Sequence, residues 1–219
     1  MRSKPDHLGR DYASQFNDPS VVAAFGHRPP YPTEVFEILT GLVVAPGTML
    51  DVGTGTGEIA RLLVELVAAV DAVELSPGML AKGRRLPGGD HPALAWIPDF
   101  AEDVVVRPPY GLIVAASSLH WMDWEVVLPH FRDLLAPDGV LAIVKERALP
   151  TAWDYPLHEV IVRCSTNRSF QPFDLIVELG CRGLFREVGR KQTAPVSFAQ
   201  PVATYVESFH ACNGFRGTE

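Results

Sequence analysis

LDVGTGTGEIARLL, Leu50 to Leu63, runs from an apolar stretch through an aspartate and three alternating glycines into an amphipathic segment. TMLDV, Thr48 to Val52, has the length and apolar character of a buried strand. EIARLLVELVA, Glu58 to Ala68, carries apolar residues at helical spacing. A strand passed to a helix through glycines needs positive φ or a close backbone approach. Gly53, Gly55 and Gly57 therefore admit two readings. They are a tight strand-to-helix turn, or a cradle in which the missing Cβ atoms leave room for a ligand at a helix N-terminus.

The same alternation continues in both directions. Upstream, Pro19–Phe25 reads as a short helix, and RPPYP, Arg28 to Pro32, is forced into extended backbone. Thr33 is placed to cap a helix carrying Val35, Phe36, Leu39 and Leu42. Downstream, strands are expected at Asp71–Leu75, Ala93–Ile97, Tyr110–Ser117 and Val140–Glu146. Helices are expected at MLAKGRRL, and at Val126–Ala136 interrupted or started at Pro129. Strands alternating with helices imply βαβ units around a parallel sheet, with ligands at the carboxyl ends of the strands. The expected architecture is α/β: a Rossmann-like, doubly wound, mostly parallel sheet in three α/β/α layers. Beyond Pro150 the pattern loosens. YPLHEVIVRC, LIVELG and Val202–Ala211 read as helices, and FREVGRKQTAPVSF as an extended, partly exposed strand.

The chain has 219 residues and 47% hydrophobic composition, enough for one globular domain. Its parts are a cap segment at 1–45, a core at 46–150 and further elements at 151–219. The formal net charge of −7 disfavours a nucleic-acid partner, and the one basic cluster, Lys82 with Arg84 and Arg85, reads as a solvated helix end. Three cysteines without a C-x-x-C pair give no disulfide framework, and the seven histidines show no metal-ligand spacing. No secretory h-region and no apolar run of about 20 residues is seen. The expectation is a cytoplasmic protein without a membrane segment.

Two ligand classes use such a glycine turn: the dinucleotides and S-adenosylmethionine. Glu74, at the end of the second strand, suits ribose hydroxyls and serves either class. Asp51 discriminates. Its charge opposes a pyrophosphate but favours a sulfonium or an ammonium group. A second role, accepting backbone N–H groups of the turn, is compatible with the first.

The run D-V-G-T-G-T-G, then V-E-L-S, A-E-D, S-S-L-H-W and L-A-P-D-G-V-L, resembles the ordered motifs of class I S-adenosylmethionine-dependent methyltransferases. The likeness extends to the small-molecule branch of the trans-aconitate methyltransferase type, through R-P-P-Y-P and Y-V-E-S-F-H, and spans Tyr12 to about Phe215. The resemblance implies S-adenosyl-L-methionine as cofactor and a small-molecule acceptor methylated at oxygen or nitrogen, a carboxylate among the options. By position, Asp51, Gly53, Thr54, Gly55 and Gly57 form the cofactor turn, Glu74 holds the ribose and Leu75 packs on the adenine. Ala101 and Glu102 border that ring, and Phe100 stands where many relatives carry an acid. Ser117 faces the methyl-transfer site.

For the acceptor, His120 is the candidate base and Trp121 an aromatic wall. The alternative for both is a half-buried aromatic cluster at a helix start. Tyr12, Arg28 and Tyr31 lie on the segment that closes over the site in relatives, and Arg28 either pairs with an acidic substrate or is a surface arginine. Relatives end with a sixth strand and a seventh; here the seventh has no room. That predicts an exposed sheet edge, with reduced stability or self-association through it. Two other functions fit less of the sequence: a non-catalytic S-adenosylmethionine-binding protein, and a dinucleotide-dependent oxidoreductase.

Overall fold

The computed structural model describes Lys4, Leu8 and residues 13–164 and 173–211. Five parallel strands form one sheet in the order β3-β2-β1-β4-β5: β1 Thr48–Val52, β2 Ala69–Val73, β3 Leu94–Ile97, β4 Tyr110–Ala116 and β5 Leu135–Val144. The helices are α1 Pro19–Ala24, α2 Thr33–Thr40, α3 Glu58–Leu63, α4 Pro77–Gly83, α5 Trp124–Leu134, α6 Asp154–Cys164, α7 Leu175–Cys181 and α8 Val202–His210. The chain winds outward in two directions from β1, so the switch point lies between β1 and β4.

Alternate residues of the central strands feed two cores. Leu50 and Val52 of β1 with Ile113 and Ala115 of β4 pack against Val127, Phe131 and Leu134 of α5 and Leu179 of α7. Met49 and Leu112 face the other way, onto Leu39 of α2 and Ile59, Ala60 and Leu63 of α3. Burial on both faces gives the near-continuous apolar runs seen in the sequence.

Several boundaries differ from expectation, each for a local reason. The apolar pattern after the glycine turn runs to Ala68, but α3 stops at Leu63. The Ala68 amide instead donates to the Gly47 carbonyl (2.8 Å), which turns the chain into β2 at Ala69. Asp71 falls inside β2 rather than at its start, where the Tyr110 hydroxyl donates to its carboxylate. Pro129 neither starts nor interrupts α5. The helix begins at Trp124, capped by Asp123, whose side chain accepts the Glu125 amide, and Pro129 forfeits only the bond to the carbonyl of exposed Glu125. Pro137-Asp138-Gly139 forms a bulge within β5 rather than a turn before it.

The expected strand at FREVGRKQTAPVSF does not form. Residues 185–198 have no ladder partner; Phe185 packs against the core at one end, and the Ala194 amide donates to Glu34 on α2 (3.0 Å). Charge explains this: Glu187 and Arg190 pair with one another along the segment, and Pro195 removes a ladder donor. Among the described residues β5 is therefore an edge strand, with Leu141, Ala142, Ile143 and Val144 half-buried. No helix among the described residues is long and apolar enough to cross a membrane.

Candidate functional site

The glycine turn leaves the carboxyl end of β1 and is fixed from its neighbour. The amides of Gly53 and Thr54 both donate to the Val73 carbonyl of β2, at 2.9 and 3.0 Å. Gly53, Gly55 and Gly57 have φ of 64°, 59° and 71°, a region that disfavours any side chain. Space adds to this. A Cβ at Gly53 would stand 2.5 Å from that of Ser118, and one at Gly57 would stand 2.3 Å from the Trp96 ring. Ser118 is buried there because its hydroxyl donates to the Val52 carbonyl (2.6 Å). At Gly55 a Cβ would meet the tip of Phe25 at 3.1 Å, so this glycine opens the space between the turn and the ring.

Two carboxylates flank the turn. Asp51 is 2% exposed, and its Oδ2 accepts from the Thr54 hydroxyl at 2.5 Å. Burial pushes its pKa up from 3.8 to about 7, against the Thr54 bond and an Ala60 amide, and the charge of Glu74 pushes the same way. The two oxygens of Glu74 accept the amides of Gly55 and Ser76, each at 2.8 Å, and burial raises its pKa also. Leu75 beside it leaves 41% of its surface exposed, an apolar platform at the strand end.

On the other side of the switch point, Ser117 follows β4 with φ 49°, and its amide donates to the Val144 carbonyl (3.0 Å). Its side chain hydrogen-bonds Tyr31, whose phenol pKa is raised by burial. Tyr31 is anchored by its amide to Glu58 (2.9 Å). Arg28 lies 5.0 Å from the Phe25 ring centre and 3.6 Å from the Glu146 carboxylate just beyond β5. Phe25 meets Phe16 edge-on at 6.5 Å, Phe16 meets Trp121 at 5.9 Å, and Trp121 touches His120 at 4.6 Å.

The expected acceptor-side residues Arg28, Tyr31, Trp121 and His120 thus belong to one connected wall over the turn. Tyr12 lies outside the described residues. Ala101 is buried, and Glu102 accepts the Asp123 amide at 2.8 Å, a bond that ties it to the start of α5. The sequence reading passed over Phe16, Phe25, Ser118 and Glu146, which reach the site only through tertiary packing. It also passed over Asp99, whose carboxylate at the end of β3 accepts the Phe100 amide (2.8 Å).

Residues 50–141 match the sequence profile of a family described as a methyltransferase domain. That stretch is a methyltransferase domain, similar to those of the class I S-adenosylmethionine-dependent methyltransferases. It is 31% identical over 157 residues to an uncharacterized methyltransferase of Mycobacterium tuberculosis, an alignment covering 70% of this chain and 61% of that protein. It therefore spans about 61% of the length of this curated relative. A malonyl-[acyl-carrier protein] O-methyltransferase of Geobacter sulfurreducens is 31% identical over 112 residues, 49% of this chain and 42% of that one. Among solved structures, a putative type II methyltransferase of Anaeromyxobacter dehalogenans superposes with a TM-score of 0.56 at 25% identity, covering 76% of this chain and 70% of that chain.

The methyltransferase turn suits the family's cofactor, S-adenosylmethionine. A cofactor with ribose hydroxyls and a cationic end matches Glu74 and Asp51, whereas a pyrophosphate at the turn would meet the Asp51 carboxylate. The cradle at Gly55 lies between these carboxylates and Phe25.

Proposed function

We propose that this chain transfers a methyl group from S-adenosylmethionine to a small-molecule acceptor. The observation that carries the reading is a pair of carboxylates, buried Asp51 and half-buried Glu74, facing a glycine turn that has no room for side chains at Gly53 and Gly57. When bound, the cofactor supplies an electrophilic methyl group and a neutral leaving group. The protein's share is binding, orientation and exclusion of water.

In this reading Glu74 takes the ribose hydroxyls, Leu75 and Ala101 border the adenine, and Asp99, two residues before Ala101, would accept from the adenine amine. Asp51, ionised by a cationic neighbour, holds the methionine end, and Ser117 borders the methyl. Tyr31, kept protonated by burial, donates a hydrogen bond to the acceptor and takes no proton from it. An alcohol or amine acceptor needs a base, for which His120 is the candidate, with Trp121 as a wall beside it. A carboxylate acceptor needs none, and Arg28 would pair with it. The relative named for O-methylation of malonyl-[acyl-carrier protein] supports oxygen as acceptor atom.

Calorimetric titration with S-adenosylhomocysteine, with NADH as the control, tests the reading. Micromolar binding of the first and none of the second is expected. Binding of NADH alone refutes it.

A further inference from the structure

Lys82 of α4 stands apart from the residues above, and it is not the solvated helix end that its sequence neighbourhood suggests. Its ammonium donates to the carbonyls of Val22 (2.7 Å) and Ala23 (3.0 Å). These belong to the last turn of α1, a six-residue helix whose final carbonyls lack internal donors. A cation at that end satisfies two of them and complements the helix dipole. The fit is close: a Cβ at Gly26, just beyond α1, would stand 3.4 Å from the ammonium nitrogen.

Two further contacts join the same elements. The hydroxyl of Ser76, which caps α4, donates to the Phe16 carbonyl at 2.6 Å. Gly78 in the first turn of α4 lies so near Val22 that a Cβ there would come within 2.9 Å of the valine's methyl. The segment from Phe16 to His27 is thus clamped onto α4 at three places. Phe25, two residues beyond the carbonyl of Ala23, is the ring that lies over Gly55.

We propose that Lys82 is a positioning residue for the methyl donor: by holding the end of α1 on α4 it fixes the height of Phe25 above Gly55. The inference rests on the cofactor reading above. It adds a division of labour within the site. Phe25 is assigned here to the methionine portion, held at Asp51, while the adenosine portion is assigned to Glu74 and Leu75; the ammonium of Lys82 bonds instead to Val22 and Ala23. Lys82 therefore governs affinity for the amino-acid end of the cofactor and leaves the nucleoside end alone.

Lys82→Met keeps the aliphatic stem and removes the donors; Lys82→Arg restores them. The parent and both variants are titrated with S-adenosylhomocysteine and with adenosine, and amide hydrogen exchange is followed across residues 19–27. Lys82→Met should bind S-adenosylhomocysteine about tenfold more weakly, the equivalent of about 1.4 kcal/mol. Its adenosine affinity should hold within about twofold (about 0.4 kcal/mol). Exchange across 19–27 should quicken, and Lys82→Arg should recover most of the loss. Equal losses for both ligands would make Lys82 a general stabiliser and overturn the proposal. Unchanged S-adenosylhomocysteine affinity overturns it whatever the exchange shows. If the unsubstituted protein itself fails to bind S-adenosylhomocysteine, the cofactor reading falls and takes this one with it.

Discussion

Asp51→Asn should stabilise the ligand-free protein at neutral pH while weakening its hold on the cofactor. The carboxyl is 2% exposed, and burial raises its pKa from 3.8 to about 7. Between those values the folded chain keeps a proton that the unfolded chain has released. Raising the pH through this window therefore favours unfolding, and the cost is complete above the folded pKa. A rise of about three units corresponds to about 4 kcal/mol. Relaxation of the turn around the charged form lowers the measurable difference to about 2–4 kcal/mol.

Asparagine has the same shape and no charge, and its amide oxygen can still accept from Thr54. The variant's advantage over the parent should be near zero at pH 4, grow through pH 5 and 6, and level off just above pH 7. The assay is urea unfolding of both proteins at half-unit steps between pH 4 and 8.5, compared at equal slope so that other titrating groups cancel. S-adenosylhomocysteine titration runs in parallel and should show weaker binding by the variant. A variant less stable than its parent at pH 8 would refute the reasoning. It would mean that the bonds from Thr54 and Ala60 outweigh the burial, and that the turn is built around a stabilised anion. A pH-independent difference would remove Asp51 as the titrating group.

Three further outcomes are expected. Gly57→Ala combines φ of 71° with a Cβ 2.3 Å from the Trp96 ring, so its urea midpoint should fall by the equivalent of about 2–4 kcal/mol. A drop under about 0.5 kcal/mol, the range of neutral surface changes, would show the ring free to move. Arg28→Ala should raise KM for an acidic acceptor with kcat less affected. Glu146→Gln, which releases the arginine from its 3.6 Å partner, should lower KM; an unchanged KM in both removes Arg28 from acceptor binding. Among the described residues the outer edge of β5, with half-buried apolar residues on both faces, has no strand beside it, and it should support association of two copies. Sedimentation velocity across a concentration series showing monomer throughout counts against that.

The parts of the fold legible in sequence are those written in local pattern. β1 lies where its apolar run places it, and the D-x-G-x-G-x-G spacing locates the turn, Asp51 and Glu74. What escaped depends on distant partners. Asp71 looks like a strand boundary until Tyr110, on a strand two places away in the sheet order, supplies a donor. Gly57 and Gly83 give no hint that the Trp96 ring fills the space beside both. Phe25 reads as the end of a short helix, and its place over Gly55 follows from contacts that no periodicity encodes. The segment 185–198 shows the reverse failure: its residues resemble a strand, but its charges pair along the segment and no ladder forms.

The tethers of the cap also bear on the order in which the molecule comes together. Phe16 reaches Ser76 and Val22 reaches Lys82 across 60 residues each, and Ser20 meets His210 across 190. Contacts that close such long loops are entropically costly and form late. The cap residues, made before α4 and α8, are thus among the last to find their places. α1 has nothing to rest on until α4 has been made, and Ser20 has no His210 to meet until α8 has been made. The glycine turn and its two carboxylates, drawn from Thr48 to Ser76, have their local bonds well before that cover arrives. A growing chain therefore presents an open cradle, and a cofactor present during synthesis meets the turn before Phe25 does.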